Sequence, residues 1–208
     1  MLRYNKKIQK RLNITLKDYE LFYNIIIELI PISKEELKHE KNKFITTYDE
    51  NYCHIFFNHD KKEVKQNYIT NKDNISKITI KIERRVKVLA SMFYFCSCIK
   101  EINFIEFKQG IIINTINMFY ECQNLKKIDL TKFKTDKIKD MSFMFFNCHK
   151  LEQLNISNFN FNENINSKGM FLECSEQLIN NIKIQNKNIK NETFYFRTVY
   201  QPKKLEFL

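Results

Sequence analysis

Cysteine and histidine are the residue types in this chain that could most readily carry chemistry. Its six cysteines and four histidines could bind zinc or take part in redox reactions. A zinc site typically needs close pairs such as Cys-x-x-Cys, and Cys96 and Cys98 form the only near pair. Cys53, His54 and His59 are the residues that could join Cys98 in such a site. Because Cys96 belongs to a regular repeat, we expect no metal site.

Four of the cysteines recur at a fixed interval of 26 residues, and each follows a Met-Phe pair at the same distance. Several coincident positions at one period indicate stacked copies of a single motif. In such a stack the methionines and cysteines should form a structural ladder in the core, where small buried thiols are inert. The predicted core ladder consists of Met92, Met118, Met144, Met170, Cys96, Cys122, Cys148 and Cys174.

Catalytic motifs are missing from the sequence. It contains no Gly-x-Ser-x-Gly elbow and no His-Glu-x-x-His pair, and two glycines in 208 residues leave no room for a glycine-rich phosphate loop. We therefore expect a protein that is not an enzyme, with no catalytic residue and no cofactor.

The hydrophobic period changes within each copy, and this change predicts the local structure. Apolar residues alternate at Ile102-x-Phe104 and at the equivalent places in the next copies, which is typical of a strand with one buried face. Around Met144 the apolar residues follow the i, i+3, i+4, i+7 spacing of a helix. Three regular copies are flanked by two degenerate ones. The prediction is therefore an α/β repeat of about five stacked strand–turn–helix units with a parallel sheet.

The repeated motif is similar to that of a known family. The segments Met141-Ser-Phe-Met-Phe-Phe-Asn-Cys148 and Leu125-Lys-Lys-Ile-Asp-Leu-Thr-Lys-Phe133 resemble the BspA-like leucine-rich repeat, which occurs in mycoplasma-type surface lipoproteins and in protists. The resemblance covers residues 75–185. It implies a leucine-rich-repeat solenoid that binds proteins, and it also implies the alternative of a surface adhesin, as in some bacterial members.

The outward side chains of the expected strands are the candidate partner-binding residues. They could simply solvate the sheet, or they could form the contact surface, as the strand faces of repeat proteins commonly do. Opposite charges in neighbouring rows would stabilise the sheet by about 0.2–1 kcal/mol per pair. The candidates are Lys77, Thr79, Glu101, Asn103, Ile105, Lys127, Asp129, Thr131, Gln153, Asn155 and Ser157.

Three regions follow from these patterns: an N-terminal cap or small β-rich or α+β domain at 1–70, the repeats at 71–190, and a C-terminal capping strand at 191–208. Alternation over residues 23–29 favours a strand. A capping box at Thr15 and Asp18 leaves a helix as the alternative there.

Charge and targeting signals narrow the choice of partner. The formal net charge is +11, which leaves a basic polyanion-binding protein as a second alternative. Lysine, asparagine, isoleucine and phenylalanine are enriched together, however, and no arginine-rich stripe occurs, so nucleic acid is not the expected partner.

No secretory signal or transmembrane segment is visible. We expect a cytoplasmic, non-enzymatic scaffold that binds another protein, with the cell surface as the alternative location.

Overall fold

The computed structural model describes residues 24–83, 86–108 and 111–195. These residues form nine strands, one α-helix and two short 3-10 turns, at Lys34–Glu36 and Asn191–Thr193. The strands are β1 (Ile25–Pro31), β2 (Asn42–Lys43), β3 (Cys53–Phe57), β4 (Glu63–Val64), β5 (Tyr68–Ile69), β6 (Ile78–Ile82), β7 (Ile99–Phe107), β8 (Lys127–Asp129) and β9 (Gln153–Leu154), and the helix is α1 (Glu176–Gln185).

Seven strands make one mixed sheet in the order β4-β3-β6-β1-β7-β8-β9, while β2 and β5 form a separate pair. Strand β1 lies between β6 and β7 and is antiparallel to both of them. On the other side of β7, the short strands β8 and β9 continue the sheet in parallel. The sheet therefore joins an antiparallel half, built by the N-terminal residues, to a parallel half built by the repeated motif.

The prediction of a leucine-rich-repeat solenoid made of about five stacked strand–turn–helix units is wrong. Strands are the main regular secondary structure of the described residues, their sheet is mixed, and α1 is their only α-helix. The first expected unit does not stack on the second, because β1 separates β6 from β7. A local periodicity cannot show that a distant strand will insert between two others, since pairing between distant strands depends on the whole chain.

Strand β1 shows why the N-terminal residues join this sheet. Its residues alternate strictly between buried and half-buried, and Ile25, Ile27 and Leu29 have no exposed surface. The prediction of a strand rather than a helix in this part of the chain is confirmed. Because both edges of β1 are paired, its backbone hydrogen bonds are satisfied on each side, as a central strand requires.

Strand β7 contains two irregularities that explain the spacing of its apolar residues. Its pairing with β1 shifts register between Ile26 and Ile27 and again between Ile30 and Pro31. At each shift two residues of β7 face one residue of β1, as in a β-bulge. The buried residues Ile99, Ile102, Phe104 and Phe107 are therefore separated by three, two and three positions.

The segments around the Met-Phe pairs are series of tight turns, and the predicted helices are wrong. We call residues 89–96, 115–122, 141–148 and 167–174 the four turn segments. Each contains two residues with a positive φ, four positions apart, which a right-handed helix cannot accommodate. These residues have φ angles between 53° and 62° and are Ser91, Phe95, Asn117, Glu121, Phe143, Asn147, Gly169 and Glu173.

Backbone N–H groups in a turn segment alternate between two kinds of acceptor. In one set, the N–H group donates to a carbonyl of its own segment, as from Met144 to the carbonyl of Met141 at 3.2 Å. In the other set, the N–H group donates to a carbonyl of the next segment, as from Phe119 to the carbonyl of Met144 at 2.8 Å. The apolar residues of a turn segment fit helical spacing because consecutive i→i+3 turns also bring side chains back to one face of the segment.

The buried residues of the turn segments recur at the same interval of 26 residues. The rings of Phe93, Phe119, Phe145 and Phe171 stack in order, with centroids 5.2–5.5 Å apart and nearly parallel planes. Stacked aromatic rings bury a large apolar area and fix the distance between neighbouring segments.

The four turn segments form an array, and residues that follow the last segment close its C-terminal end. Ser175 caps α1 through a hydrogen bond from the N–H of Leu178, and α1 buries Leu178 and Ile182. The side chain of Gln185 accepts from the N–H of Ile156 at 2.8 Å and donates to the carbonyl of Leu154 at 2.9 Å, so it pairs with the chain at β9. The proposed capping strand at 191–208 begins instead with the turn Asn191–Thr193, and its residues beyond 195 lie outside the described residues.

The role of β1 can be tested with two neighbouring isoleucines. Ile27→Thr should lower the free energy of unfolding by about 2–4 kcal/mol, because it removes a buried methyl and leaves a hydroxyl in an apolar core. Ile26→Thr should change it by less than about 1 kcal/mol, since Ile26 is half-buried on the other face. Urea unfolding followed by circular dichroism measures both. Equal losses of unfolding free energy in the two variants would show that β1 is not a core strand.

Candidate interaction surface

The outward face of the seven-stranded sheet carries the residues proposed from the sequence for partner binding. Glu101, Lys127 and Gln153 are direct neighbours across β7, β8 and β9. Asn103 is paired with Asp129 in the adjacent row. Lys77 and Thr79 lie on the far side of β1. Thr131, Asn155 and Ser157 lie just beyond the ends of β8 and β9, and Ile105 occupies a bulge of β7.

Strand β1 contributes a row of residues that was not expected on this face. Ile26, Glu28 and Ile30 point outward between β6 and β7. Glu28 is paired with Thr79 on one side and Asn103 on the other, and its carboxylate accepts a hydrogen bond from Lys77 at 2.9 Å. Lys77 is therefore neutralised by Glu28 and not by Glu101. The alternation over residues 23–29 predicted the strand but could not predict its neighbours.

Apolar groups on this face come mainly from the antiparallel half. Phe56 of β3 is paired with Thr79, and the ammonium group of Lys81 lies 5.0 Å from the centre of its ring. Ile26 and Ile30 are half-buried, and Ile105 is 41% exposed. Lys132 covers the bulge through a hydrogen bond to the carbonyl of Ile105 at 2.6 Å. An aromatic and several aliphatic side chains within a polar surround have the composition of a protein-binding surface.

Two of the candidate residues also shape the ends of the strands. The carboxylate of Asp129 accepts the N–H of Thr131 at 2.9 Å, and the amide oxygen of Asn155 accepts the N–H of Ser157 at the same distance. Such side-chain to backbone bonds turn the chain out of the strand. The bonds from Thr131, together with Lys127 and Lys132, lower the pKa of Asp129. These two positions are therefore structural as well as accessible.

Charges of both signs are mixed over this part of the molecule. Glu63 of β4 accepts from His54 at 3.0 Å and from Lys65 at 2.8 Å, and these hydrogen bonds, that from Lys65 first, lower its pKa. Glu106 pairs with Lys108 at 2.6 Å. Acidic residues thus sit among the lysines of the sheet, so the net positive charge of the chain is not concentrated on this face.

The cysteine column has a structural role in the turn segments. The thiol of Cys148 donates to the carbonyl of Phe119 at 3.1 Å, and Cys122 and Cys174 make the same bond to the preceding segment at 3.0 Å and 3.1 Å. Cys98 donates to the carbonyl of Lys43 at 3.1 Å. The methionines of the ladder, from Met92 to Met170, are buried beside them.

Burial also makes these thiols weak acids. It raises the pKa of Cys53, Cys96 and Cys174 to about 12. The pKa values of Cys98, Cys122 and Cys148 are raised by the same cause. A thiol must lose its proton to act as a nucleophile or metal ligand, so the column is poorly suited to either role.

Within residues 24–83, 86–108 and 111–195, no group of three or more His, Cys, Asp or Glu residues could hold a metal ion. In the same residues no helix has the length and apolar character needed to cross a bilayer.

Comparison with known proteins assigns the repeated half of the chain to a protein family. Residues 87–205 match the sequence profile of a family described as Mycoplasma protein of unknown function, DUF285. The chain belongs to this family. Comparisons with curated proteins and with solved structures found no match. The DUF285 segment begins just before the first turn segment and includes β7, β8, β9 and α1, whereas β1 to β6 precede it.

The thiols of this DUF285 protein should react slowly while it is folded. At pH 8 we expect iodoacetamide to modify Cys174 first, because it is the one cysteine that is partly exposed, and to leave the five buried cysteines largely unmodified. In urea all six should react at the rate of free cysteine. Mass spectrometry of timed samples measures this order. Modification of Cys148 as fast as Cys174 in the native protein would contradict the buried column.

Proposed function

We propose that this chain is a non-enzymatic protein-binding module and that it recognises its partner through the outward face of the seven-stranded sheet. The observation that carries the proposal is the continuity of this face. Side chains of β3, β6, β1, β7, β8 and β9 follow one another across hydrogen-bonded rows. At about 4.8 Å per strand, the face is about 29 Å wide, which is wide enough for a protein partner.

The chemistry of the face supports a protein partner over a polyanion. Its apolar residues Phe56, Ile26, Ile30 and Ile105 could supply anchors, and the surrounding charges are of both signs. Nucleic acid and other polyanions bind to surfaces where lysine and arginine are concentrated. The resemblance of the repeated motif to BspA-like repeats also favours protein binding.

The absence of catalysis is part of the same proposal. The most reactive side-chain type, cysteine, is used here in a buried column with raised pKa values. The sequence also contains none of the hydrolase, metalloprotease or phosphate-loop motifs.

We further propose that the module works in the cytoplasm. All six cysteines are free thiols, and a reducing compartment keeps cysteines in this form. In a surface adhesin some of these thiols would be expected as disulfides. Labelling of intact cells with a membrane-impermeant reagent separates these two locations.

Two pairs of substitutions test the face. Glu101→Arg with Gln153→Arg places bulky cations at two strand positions. The control, Asp136→Arg with Asn164→Arg, makes the same change in net charge at exposed loop positions. Asp129 and Asn155 are left intact because they hold the turns that follow β8 and β9. A partner is first identified by affinity purification with cross-linking, and its affinity is then measured by titration calorimetry.

We expect the strand-face pair to weaken partner binding at least tenfold and the loop pair to change it less than twofold. Thermal unfolding should be similar for the two pairs. If the strand-face pair binds like the unmodified protein, or if both pairs weaken binding equally, the partner does not use this face. Salt-sensitive binding to heparin that both pairs strengthen would favour the polyanion alternative.

A further inference from the structure

A pocket of about 300 Å³ lies where β1 ends and where the turn segments lead into β7, β8 and β9. The chain between Ile32 and Asn42 forms one side of it. The other side is formed by residues at equivalent positions of successive copies, among them Ser97, Gln123 and His149. This volume is at the lower end of ligand pockets, which typically measure roughly 300–1,000 Å³. It is therefore large enough for one small polar molecule.

Four charged side chains line the pocket, and three of them already make hydrogen bonds. Glu36 accepts a hydrogen bond from the N–H of Ser33 at 3.0 Å. Glu121 accepts from the side chains of Gln123 at 2.7 Å and Asn147 at 2.8 Å. Lys150 donates to the amide oxygen of Asn124 at 2.7 Å.

With Lys38, the lining contains two acidic and two basic residues. Neither an anion nor a cation would find an excess of opposite charge there. A neutral ligand is the better fit.

Polar groups that can bind hydroxyls remain available in the pocket. Among the residues that the structure describes, no hydrogen bond engages the imidazole rings of His39 and His149 or the hydroxyl of Ser97. The amide oxygen of Gln123 is likewise not used by its bond to Glu121. Imidazole, amide and hydroxyl groups each provide both donors and acceptors, as the hydroxyls of a sugar require.

One aromatic ring stands at the edge of this polar pocket. Phe95 is 55% exposed, yet its ring is held in place by two others. It packs edge-to-face on Tyr94 with centroids 4.7 Å apart and lies 5.8 Å from Tyr120 at a tilt of 39°. A fixed and exposed ring beside polar groups offers an apolar platform to a ligand that has one apolar face.

The repeat itself does not require an aromatic residue at this position. The equivalent residues are Glu121, Asn147 and Glu173, and all of them share the positive φ of Phe95. Bulky residues rarely adopt this conformation, whereas asparagine does so more readily. Phenylalanine therefore replaces a polar residue at a place where the backbone disfavours it. A strained residue at a pocket edge is a reason to look for a function there.

We propose that this pocket binds a neutral saccharide residue. The ring of Phe95 packs against the C–H face of the sugar, and Gln123, His39, His149 and Ser97 bind its hydroxyls. The proposal concerns a site apart from the strand face, so it stands or falls independently of the protein-binding function.

The test uses the full chain and a defined panel of sugars. Methyl glycosides of glucose, galactose, mannose, fucose and N-acetylglucosamine, with their common disaccharides, are screened by saturation-transfer NMR and then titrated. Phe95→Asn and Gln123→Ala remove the platform and an amide. Tyr195→Asn is the matched control, since Tyr195 is also 55% exposed and is not part of the pocket lining. Inorganic phosphate and free glutamate are included as charged probes.

We expect at least one neutral sugar to bind, and we expect Phe95→Asn and Gln123→Ala each to weaken it at least tenfold. Tyr195→Asn should change binding less than twofold. Phe95→Asn should not lower the melting temperature, because asparagine already occupies the equivalent backbone position at Asn147, two copies later. The proposal is overturned if no sugar of the panel binds, if only phosphate or glutamate binds, or if the two pocket variants bind the sugar as tightly as the unmodified chain.

Discussion

The hydrogen bonds between successive turn segments are the constraint on which the repeated half of the protein depends. A positive φ at every fourth residue prevents a helix, so half of the N–H groups in each segment have no acceptor within it. In the first three segments, the carbonyls of the next segment and of the residue just before it supply those acceptors at 2.8–3.1 Å. Buried N–H groups are costly when unpaired. No turn segment can therefore be stable alone, and both ends of the array need residues that complete the bonding.

The N-terminal residues complete one end by taking the place of a missing copy. Among the described residues no turn segment precedes 89–96, so the carbonyls of Met92 and Tyr94 cannot accept hydrogen bonds from one. Thr46 fills both positions, since its N–H bonds to Met92 at 2.8 Å and its hydroxyl to Tyr94 at 2.8 Å. At the other end, the carbonyls of Glu192 and Thr193 accept the N–H groups of Gly169 and Phe171. Residues 24–83, which precede the DUF285 segment, are thus part of the same folded unit as the repeats.

The sequence predicts what is local and repeated, and it fails where distant residues meet. The parallel register of Ile102 with Ile128 and of Ile128 with Leu154 follows from the period of 26, and the strand at β1 follows from alternation. The helix was wrong because consecutive tight turns place apolar residues at the same spacing. The neighbours of β1 could not be inferred, since nothing near Ile27 encodes Ile80 or Phe104 as its partners. For the same reason Glu28 was missed on the strand face.

The repeat also indicates where specificity can reside. Positions that keep one residue type or one kind of acceptor through the copies are used by the array: the methionines and cysteines fill its core, and the side-chain oxygens of Asn114, Asp140 and Asn166 hold its turns. Residues that depart from the period are not needed for stacking. Phe95 is aromatic where its equivalents are polar, and Ile105 is apolar where its equivalents are Thr131 and Ser157. Stacking does not explain either departure, and both residues are exposed. Recognition by another molecule would account for both.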